Sequence, residues 1–376
     1  MILKELTINL DEIFKKNLAF EWDKAGLQVG NLDRNIKKIL IALDINNSVI
    51  KEAIDLEADL ILSHHPLIFN PVDAVVSADS VQKKILNLVE NKIAAYAAHT
   101  NYDIMPGGLN DFVAKILGLT PLGIIEPQHE QWYKFVVFVP KESEEKVRDV
   151  MCRYGGGQWK NYSCCTFNID GRGTFLPLKG AKPYIGKSGK INYVNEVKIE
   201  CIVSENVLEE VVSSTIAAHP YEEVAYDIYK IENKFSGAGV GRYGELKEDK
   251  YFAEFLEIIK NKMNIKNFRW LSDGSTDLEK KKISKVAVVN GSANSLTDKL
   301  AGLDCDLLIL GEISHHNALS IIESGKILVE IGHGCSEKWA VCDMYEKLKE
   351  FSKLQKIKIE IIKSKLSHIA WRYYIE

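Results

Sequence analysis

Two short stretches far apart in the chain carry side chains that could do chemistry: Ser63-His64-His65-Pro66 and His333-Gly334-Cys335-Ser336-Glu337. Each follows a run that reads as a buried strand. Together they offer three imidazoles and a carboxylate, a set that suits a first-row divalent metal. A third stretch, His99-Thr100-Asn101-Tyr102-Asp103, also follows a buried run and adds a second carboxylate. These ligands exceed what one structural zinc needs, and no set of thiolates stands in for one. They suit two ions about 3.5–4 Å apart, bridged by a carboxylate or a water, and hydrolysis is the natural chemistry of such a pair. A storage or sensing role would use the same ligands.

Spacing supports a common site. Adjacent histidines inside a strand would face opposite sides of the sheet. At a strand end, with Pro66 forcing extended geometry on His65, both can turn into one crevice. His333 and Glu337 are four apart and share a face if they open a helix. Plainer readings exist: a loop pair of histidines, a helix-start carboxylate at Glu337, and a turn residue at Asp103 before Pro106-Gly107-Gly108. What favours a shared metal site is that all three clusters fall at carboxyl ends of expected parallel strands, where open α/β sheets bind ligands. Glu312, after Gly311, and His99 are the candidates for moving protons. Glu312 reads equally as an exposed loop carboxylate, and His99 as a supporting imidazole. His315 and His316 open an expected helix. Gly291-Ser292 sits at a strand–helix turn that could offer N–H groups to an anion, but the chain has no Walker A pattern.

The elements that must position these residues alternate. An amphipathic helix is expected over 3–19, then a Gly-punctuated loop over 21–30. Strands are expected at Ile39–Leu43, Leu60–Leu62 and Ile93–Ala97, with helices at 47–56 and 78–91. Near-continuous apolar strands alternating with helices imply a parallel sheet covered on both faces. From about 130 the order becomes strand, helix, strand, strand, helix, strand, which is ferredoxin-like. Alternation returns after 240, with strands at Val286–Val289, Leu307–Leu310, Ile327–Glu330 and Ile357–Ile362. The expected fold is therefore α/β: two related lobes with mostly parallel sheets, 1–129 and 236–376, plus an inserted ferredoxin-like α+β domain, 130–235. An internal echo supports related lobes: Asp59-Leu60-Ile61-Leu62-Ser63-His64-His65 against Asp306-Leu307-Leu308-Ile309 followed by Ser314-His315-His316.

Composition narrows the functional classes. The 376 residues are 46% hydrophobic and 27% charged, ordinary for globular protein, with a formal net charge of -4. Such a chain has no global basic field for nucleic acid or an anionic membrane. No apolar run approaches membrane-spanning length, and the start lacks a secretory pattern. The seven cysteines are scattered without a C-x-x-C, which fits a cytoplasmic protein with reduced, buried thiols.

At these residues the sequence resembles the NGG-interacting-factor-three-like family, also described as GTP cyclohydrolase 1 type 2 homologues. The resemblance runs through Trp22-Asp23 to Gly30, Ser63-His64-His65-Pro66, His99-Thr100 to Asp103, Gly241-Arg242, Gly244-Glu245-Leu246, Gly311-Glu312, Ser314-His315-His316, Gly332-His333 and Ser336-Glu337. It implies two divalent ions on His64, His65, Asp103, His333 and Glu337, whether zinc, iron, manganese or cobalt. It also implies a metal-dependent hydrolase of the GTP cyclohydrolase type. A nucleotide or metabolite phosphoesterase, or a non-catalytic metal-binding or ligand-sensing protein, are the alternatives. The insert looks like that of a bacterial subfamily similar to the trimeric PII and CutA proteins, through Gly155–Gly157, Gly173-Thr174-Phe175, Gly180-Ala181, Ile185-Gly186 and His219-Pro220-Tyr221-Glu222-Glu223. The implied assembly is a homohexameric toroid, with a small molecule or nucleotide as ligand. Lys24 and Gly334 depart from the common family pattern without removing a ligand.

Overall fold

A computed structural model describes residues 1–275 and 277–366. The chain separates into two compact units, Met1–Gln128 with Gly237–Glu376, and His129–Ser236. Both crossings between them fall inside long strands, Leu119–Pro140 and Tyr226–Tyr251.

The first unit is built on two sheets. One runs in the order Gly26–Val29, Ala94–Ala97, Leu60–Ser63, Lys38–Ala42, Glu360–Lys363. All neighbours pair in parallel except Gly26–Val29, which lies antiparallel on the Ala94–Ala97 strand. The other places three parallel strands, Lys282–Ser292, Leu307–Glu312 and Ile327–Glu330, side by side. It is flanked by antiparallel neighbours, the Tyr226–Tyr251 strand and Arg269–Leu271. The apolar strands divide by the period of two. Ile39, Ile41, Leu60 and Leu62 of the first sheet share one core with Val286, Val288, Leu307 and Ile309 of the second. The alternate residues Leu40, Ala42 and Ile61 pack with Val49, Ile50 and Leu88 of the outer helices. Ala287, Val289, Leu308 and Leu310 pack likewise with Leu300 and Ile321. Burial on both faces is why these strands read as unbroken apolar runs.

The echo between the halves has a structural basis. Asp59 accepts the backbone N–H groups of Lys37 and Lys38 at 2.8 and 3.0 Å. Asp306 accepts those of Ser284 and Lys285 at 2.9 and 3.0 Å. Each aspartate ties the start of its own strand to the start of the neighbouring one. The repeat then diverges. His64 and His65 follow directly on the Leu60–Ser63 strand, whereas His315 and His316 open a helix and are exposed.

The second unit contains helices Glu144–Arg153 and Glu205–Ala218 and strands Thr166–Phe175 and Asn192–Ser204, with parts of the two crossing strands. The order is Thr166–Phe175, Asn192–Ser204, Leu119–Pro140, Tyr226–Tyr251. The first three pair antiparallel. Its own core gathers Phe135, Val137, Val147, Met151, Ile199 and Val211.

Several expectations need correcting. The opening helix stops at Ile13, and a 3₁₀ turn at Lys16–Leu18 follows. Part of the expected loop, Gly26–Val29, is an edge strand. Pro121, Pro127 and the glycines of 233–241 lie within the two long strands by which the chain passes from one unit to the other. Proline keeps an extended φ and loses only a donor, so it is tolerated where no ladder bond is needed. The strand expected at Ile357–Ile362 forms as Glu360–Lys363, and it completes the first sheet beside Lys38–Ala42 rather than the second. The thiols are not all reduced: Cys152 and Cys164 are joined, with Cα atoms 4.9 Å apart, within the range that disulfides span. Among the described residues no helix is long and apolar enough to cross a membrane.

One buried polar contact holds the helix that carries Asp103 in place. The Tyr102 hydroxyl donates to Asp343 Oδ2 at 2.6 Å, linking the Thr100–Ile104 helix to the Trp339–Leu354 helix. Asp343→Ala would leave a buried hydroxyl without its acceptor, at a cost of about 1–3 kcal/mol. Urea unfolding should show that loss, and adding Tyr102→Phe to the same chain should recover part of it.

Candidate metal centre

The first unit brings His64, His65, His99, Asp103, His333 and Glu337 into one cluster. His64 is fully buried at the end of the Leu60–Ser63 strand. Its Nδ1 lies 2.8 Å from the carbonyl of Ala98 and must donate to it. That leaves a lone pair on Nε2, which has no hydrogen-bond partner among the described residues. Facing it are Asp103 Oδ1 at 3.6 Å, itself buried and unpartnered, and Glu337 Oε1 at 3.7 Å. These distances are too long for hydrogen bonds.

Glu337 Oε2 faces the other way. It lies 3.0 Å from His65 Nε2 and 3.1 Å from His333 Nε2. The remaining nitrogen of each imidazole meets another carboxylate: His65 Nδ1 is 2.8 Å from Asp44 Oδ1, and His333 Nδ1 is 3.2 Å from Glu312 Oε1. Such outer partners fix the orientation of a ligand imidazole. His333 and Glu337 share a short helix, His333–Glu337, and the four-residue spacing puts both on one face. Ser336 Oγ fixes that helix by donating to the His333 carbonyl at 2.6 Å and accepting the Gly291 N–H at 3.0 Å. Gly291 adopts φ +66, and a Cβ there would lie 2.6 Å from Glu337 Oε1. The turn expected to offer N–H groups to an anion instead makes room for the central carboxylate.

His99 stands at the edge. Its Nδ1 is 2.7 Å from Asp23 Oδ1, and its ring centre lies 5.4 Å from that of His64 and 5.6 Å from that of His65. Asp23 Oδ2 also accepts from the Thr100 N–H at 3.0 Å. Asp103 follows on the same short helix, Thr100–Ile104.

The electrostatics are those of a cluster arranged for cations. Burial opposes ionisation of Glu337, but the three facing imidazoles hold its pKa well below the carboxylate range. Burial, with the Glu337 charge beside it, pushes Asp103 well up. Burial opposes protonation of His65, yet Asp44 and Glu337 raise its pKa to about 10. Glu337, then Glu312, raises that of His333 to about 8 against burial. Burial keeps His64 neutral. On His65 and His333 protons therefore favour the faces that a cation would take, and metal uptake would displace them, whereas His64 Nε2 faces the cluster with its lone pair.

His64, His65 and Glu337 each offer a ligand atom within 4.8 Å of the others, so they could hold a metal ion. The donor set fits: among the described residues, a lone pair and a carboxylate oxygen, both buried and unpartnered, lie beside a carboxylate with no lysine or arginine on it. Asp103 and His333 border the same space. Glu312 and His99 border it from outside, and His315 and His316 are exposed away from these contacts. Sequence reasoning missed Asp44 and gave no role to Asp23. Asp44 follows the Lys38–Ala42 strand, so the rule that ligands gather at carboxyl ends of parallel strands could have found it.

Parallel-stranded sheets with a buried histidine–carboxylate cluster at their strand ends define an α/β protein with a cluster that could hold a cation. The chain belongs to the DUF34/NIF3 (NGG1p interacting factor 3) family, whose model matches residues 1–368. It is 39% identical over 350 residues to a GTP cyclohydrolase 1 type 2 homolog of Halalkalibacterium halodurans, covering 93% of this chain and 92% of the relative. It is 38% identical over 328 residues to the one of Bacillus subtilis, covering 87% of each. The crystal structure of a Bacillus cereus protein related to NIF3 superposes with a TM-score of 0.82 at 35% identity, covering 100% of this chain and 99% of that one.

Two outcomes follow. Gly291→Ala should turn the Glu337 carboxylate out of place and lower the metal content measured by elemental analysis, with the helix content unchanged. Asp23 gives the second. Burial works against its charge, but His99, Thr100 and the Lys24 N–H hold its pKa at about 2, below the usual value of about 3.9. A depressed folded-state pKa stabilises above the unfolded value and is lost as pH falls through the folded one. In metal-free protein, the stability gap between wild type and Asp23→Asn should be constant above about pH 4. It should close as pH falls toward about 2.

Proposed function

We propose that the cluster holds two divalent metal ions and that the protein is a metal-dependent hydrolase. One observation carries the reading: the two oxygens of Glu337 face different donors, Oε1 toward His64 and Oε2 toward His65 and His333. A bridging carboxylate has that arrangement. His64 with Asp103 would hold one ion, His65 with His333 the other, and Glu337 both. Imidazole and carboxylate without thiolate suit zinc, iron, manganese or cobalt alike. When bound, the ions would supply Lewis acidity and a water that deprotonates near neutral pH.

The chain's own residues divide the remaining work. Asp23 orients His99, whose Nε2 is then free to take or give a proton beside the cluster. Glu312 lies against His333 Nδ1, so its part is to orient that imidazole rather than to carry protons. The order of elements in His129–Ser236 supports a ferredoxin-like domain set into the hydrolase unit. A homohexamer remains part of the proposal, on the sequence resemblance alone.

The relatives' name makes GTP the first substrate to test, with hydrolytic opening of the purine ring. A second reading has its own observation. Among the described residues, every side chain paired with these four imidazoles is a carboxylate, and none is a cation that could clamp a triphosphate. A protein that only binds metal, or a phosphoesterase acting on a less charged ester, would need no such clamp.

Metal-loaded protein incubated with GTP should release formate. His99→Gln should keep its metal yet turn over roughly 10²–10⁴-fold more slowly. His65→Ala should lose metal and activity together. Formate release no faster than that of His65→Ala would remove the GTP assignment. Full metal occupancy with no turnover of GTP or of p-nitrophenyl phosphate would leave the metal-binding reading in its place.

A further inference from the structure

The His129–Ser236 unit contains a cavity that the metal chemistry does not use. It has a volume of about 420 Å³, within the range of roughly 300–1,000 Å³ typical of small-molecule sites. Its apolar walls include Phe138, Phe175, Leu176, Tyr184 and Ile185, and its polar lining includes Glu196 and Tyr221.

The polar groups are held in place. His219 Nε2 donates to the Phe138 carbonyl at 3.0 Å, and its Nδ1 accepts the Tyr221 N–H at 3.1 Å. Burial lowers the pKa of this imidazole, which keeps it neutral. The ring stands edge-on to Tyr221 with centres 4.9 Å apart. Tyr221 in turn donates its hydroxyl to Glu196 Oε1 at 2.9 Å. The other oxygen of Glu196 lies over Gly173, where a Cβ would stand 2.0 Å from it. Gly173 does not have a left-handed φ, so what it supplies there is space. The residues His219-Pro220-Tyr221 and Gly173 thus serve one end: a carboxylate laid against an aromatic cavity.

The charge of the lining selects the ligand. Glu222 and Glu223 also line the cavity. Lys179, Lys182, Lys187 and Lys190 of the adjoining loop are exposed, and none lines it. No lysine or arginine pairs with Glu196 among the described residues. Aromatic faces and an uncompensated carboxylate attract a cation, whereas an anion would meet repulsion there. We propose that this cavity binds a small organic cation, an apolar or aromatic body bearing an ammonium or amidinium group, with Glu196 as its counter-ion. The proposal does not depend on the metal centre.

The test uses the full-length protein and three probes of one shape, 2-phenylethylammonium, 2-phenylethanol and phenylacetate, followed by ligand-observed NMR. The ammonium should bind about tenfold or more tightly than the alcohol, and phenylacetate most weakly. Glu196→Gln keeps an acceptor for Tyr221 but removes the charge. It should cost the ammonium about tenfold in affinity and leave the alcohol unchanged. Gly173→Val, which displaces the carboxylate, should do the same, and it serves if Glu196→Gln does not fold. An unchanged far-ultraviolet circular dichroism spectrum and melting temperature will show that the rest of the chain is intact. No ammonium binding at concentrations on the order of 10 mM would overturn the proposal. So would equal or better binding of phenylacetate, or an ammonium affinity indifferent to the folded variant.

Discussion

A single buried carboxylate organises the first unit. Glu337 is almost wholly out of water, and an isolated charge in that position would be costly. Three imidazoles surround it instead, from the end of one strand and from its own short helix. Asp44 and Glu337 raise the pKa of His65, Glu337 and Glu312 raise that of His333, and His64 keeps a bare lone pair. The cluster is thus satisfied only in part by its own side chains. His64 Nε2 and Asp103 Oδ1 remain buried, close and unbonded. Native interiors rarely leave such atoms without a partner, and here a cation is the partner that both would accept.

The supporting architecture follows from that requirement. Strands that end at His64, Asp44 and Glu312 come from two sheets sharing one core, so the histidines of one sheet can reach the carboxylate that follows the other. The paired aspartates Asp59 and Asp306 set the starts of corresponding strands. The strand ends, which carry the chemistry, have diverged between the halves. One half presents two imidazoles directly at a strand end. The other reaches the centre through a turn, a glycine and a five-residue helix.

Much of this was legible in the chain because it rests on local rules. Apolar runs of strand length, flanked by helices, indicate strands buried on both faces, and Leu60–Ser63 and Leu307–Glu312 form where such runs predict. The four-residue spacing of His333 and Glu337 survives because helix geometry alone sets it. The failures have a common cause in long-range pairing. Nothing local announces that Pro121, Pro127 and the glycines near 237–241 lie in long strands, because the partners of those strands are remote in sequence. The destination of Glu360–Lys363 could not be read from periodicity, which carries no information about which sheet a strand joins. Asp44 and Gly291 gain their meaning only from what faces them across the fold. Cys152 and Cys164 likewise meet through a turn that their spacing does not announce.

The position of the Glu360–Lys363 strand bears on how the chain matures. It pairs with Lys38–Ala42, more than three hundred residues earlier. During synthesis the early strands would leave the ribosome with that edge bare, and an unpaired edge invites the wrong partner. The sheet that carries His64 and His65 is therefore closed only once nearly the whole chain has been made. Helix Trp339–Leu354, which leads into the closing strand, follows directly on the His333–Glu337 turn. Completion of the scaffold and delivery of His333 and Glu337 to the cluster become one late event, so a half-made chain would lack the carboxylate that the buried imidazoles surround.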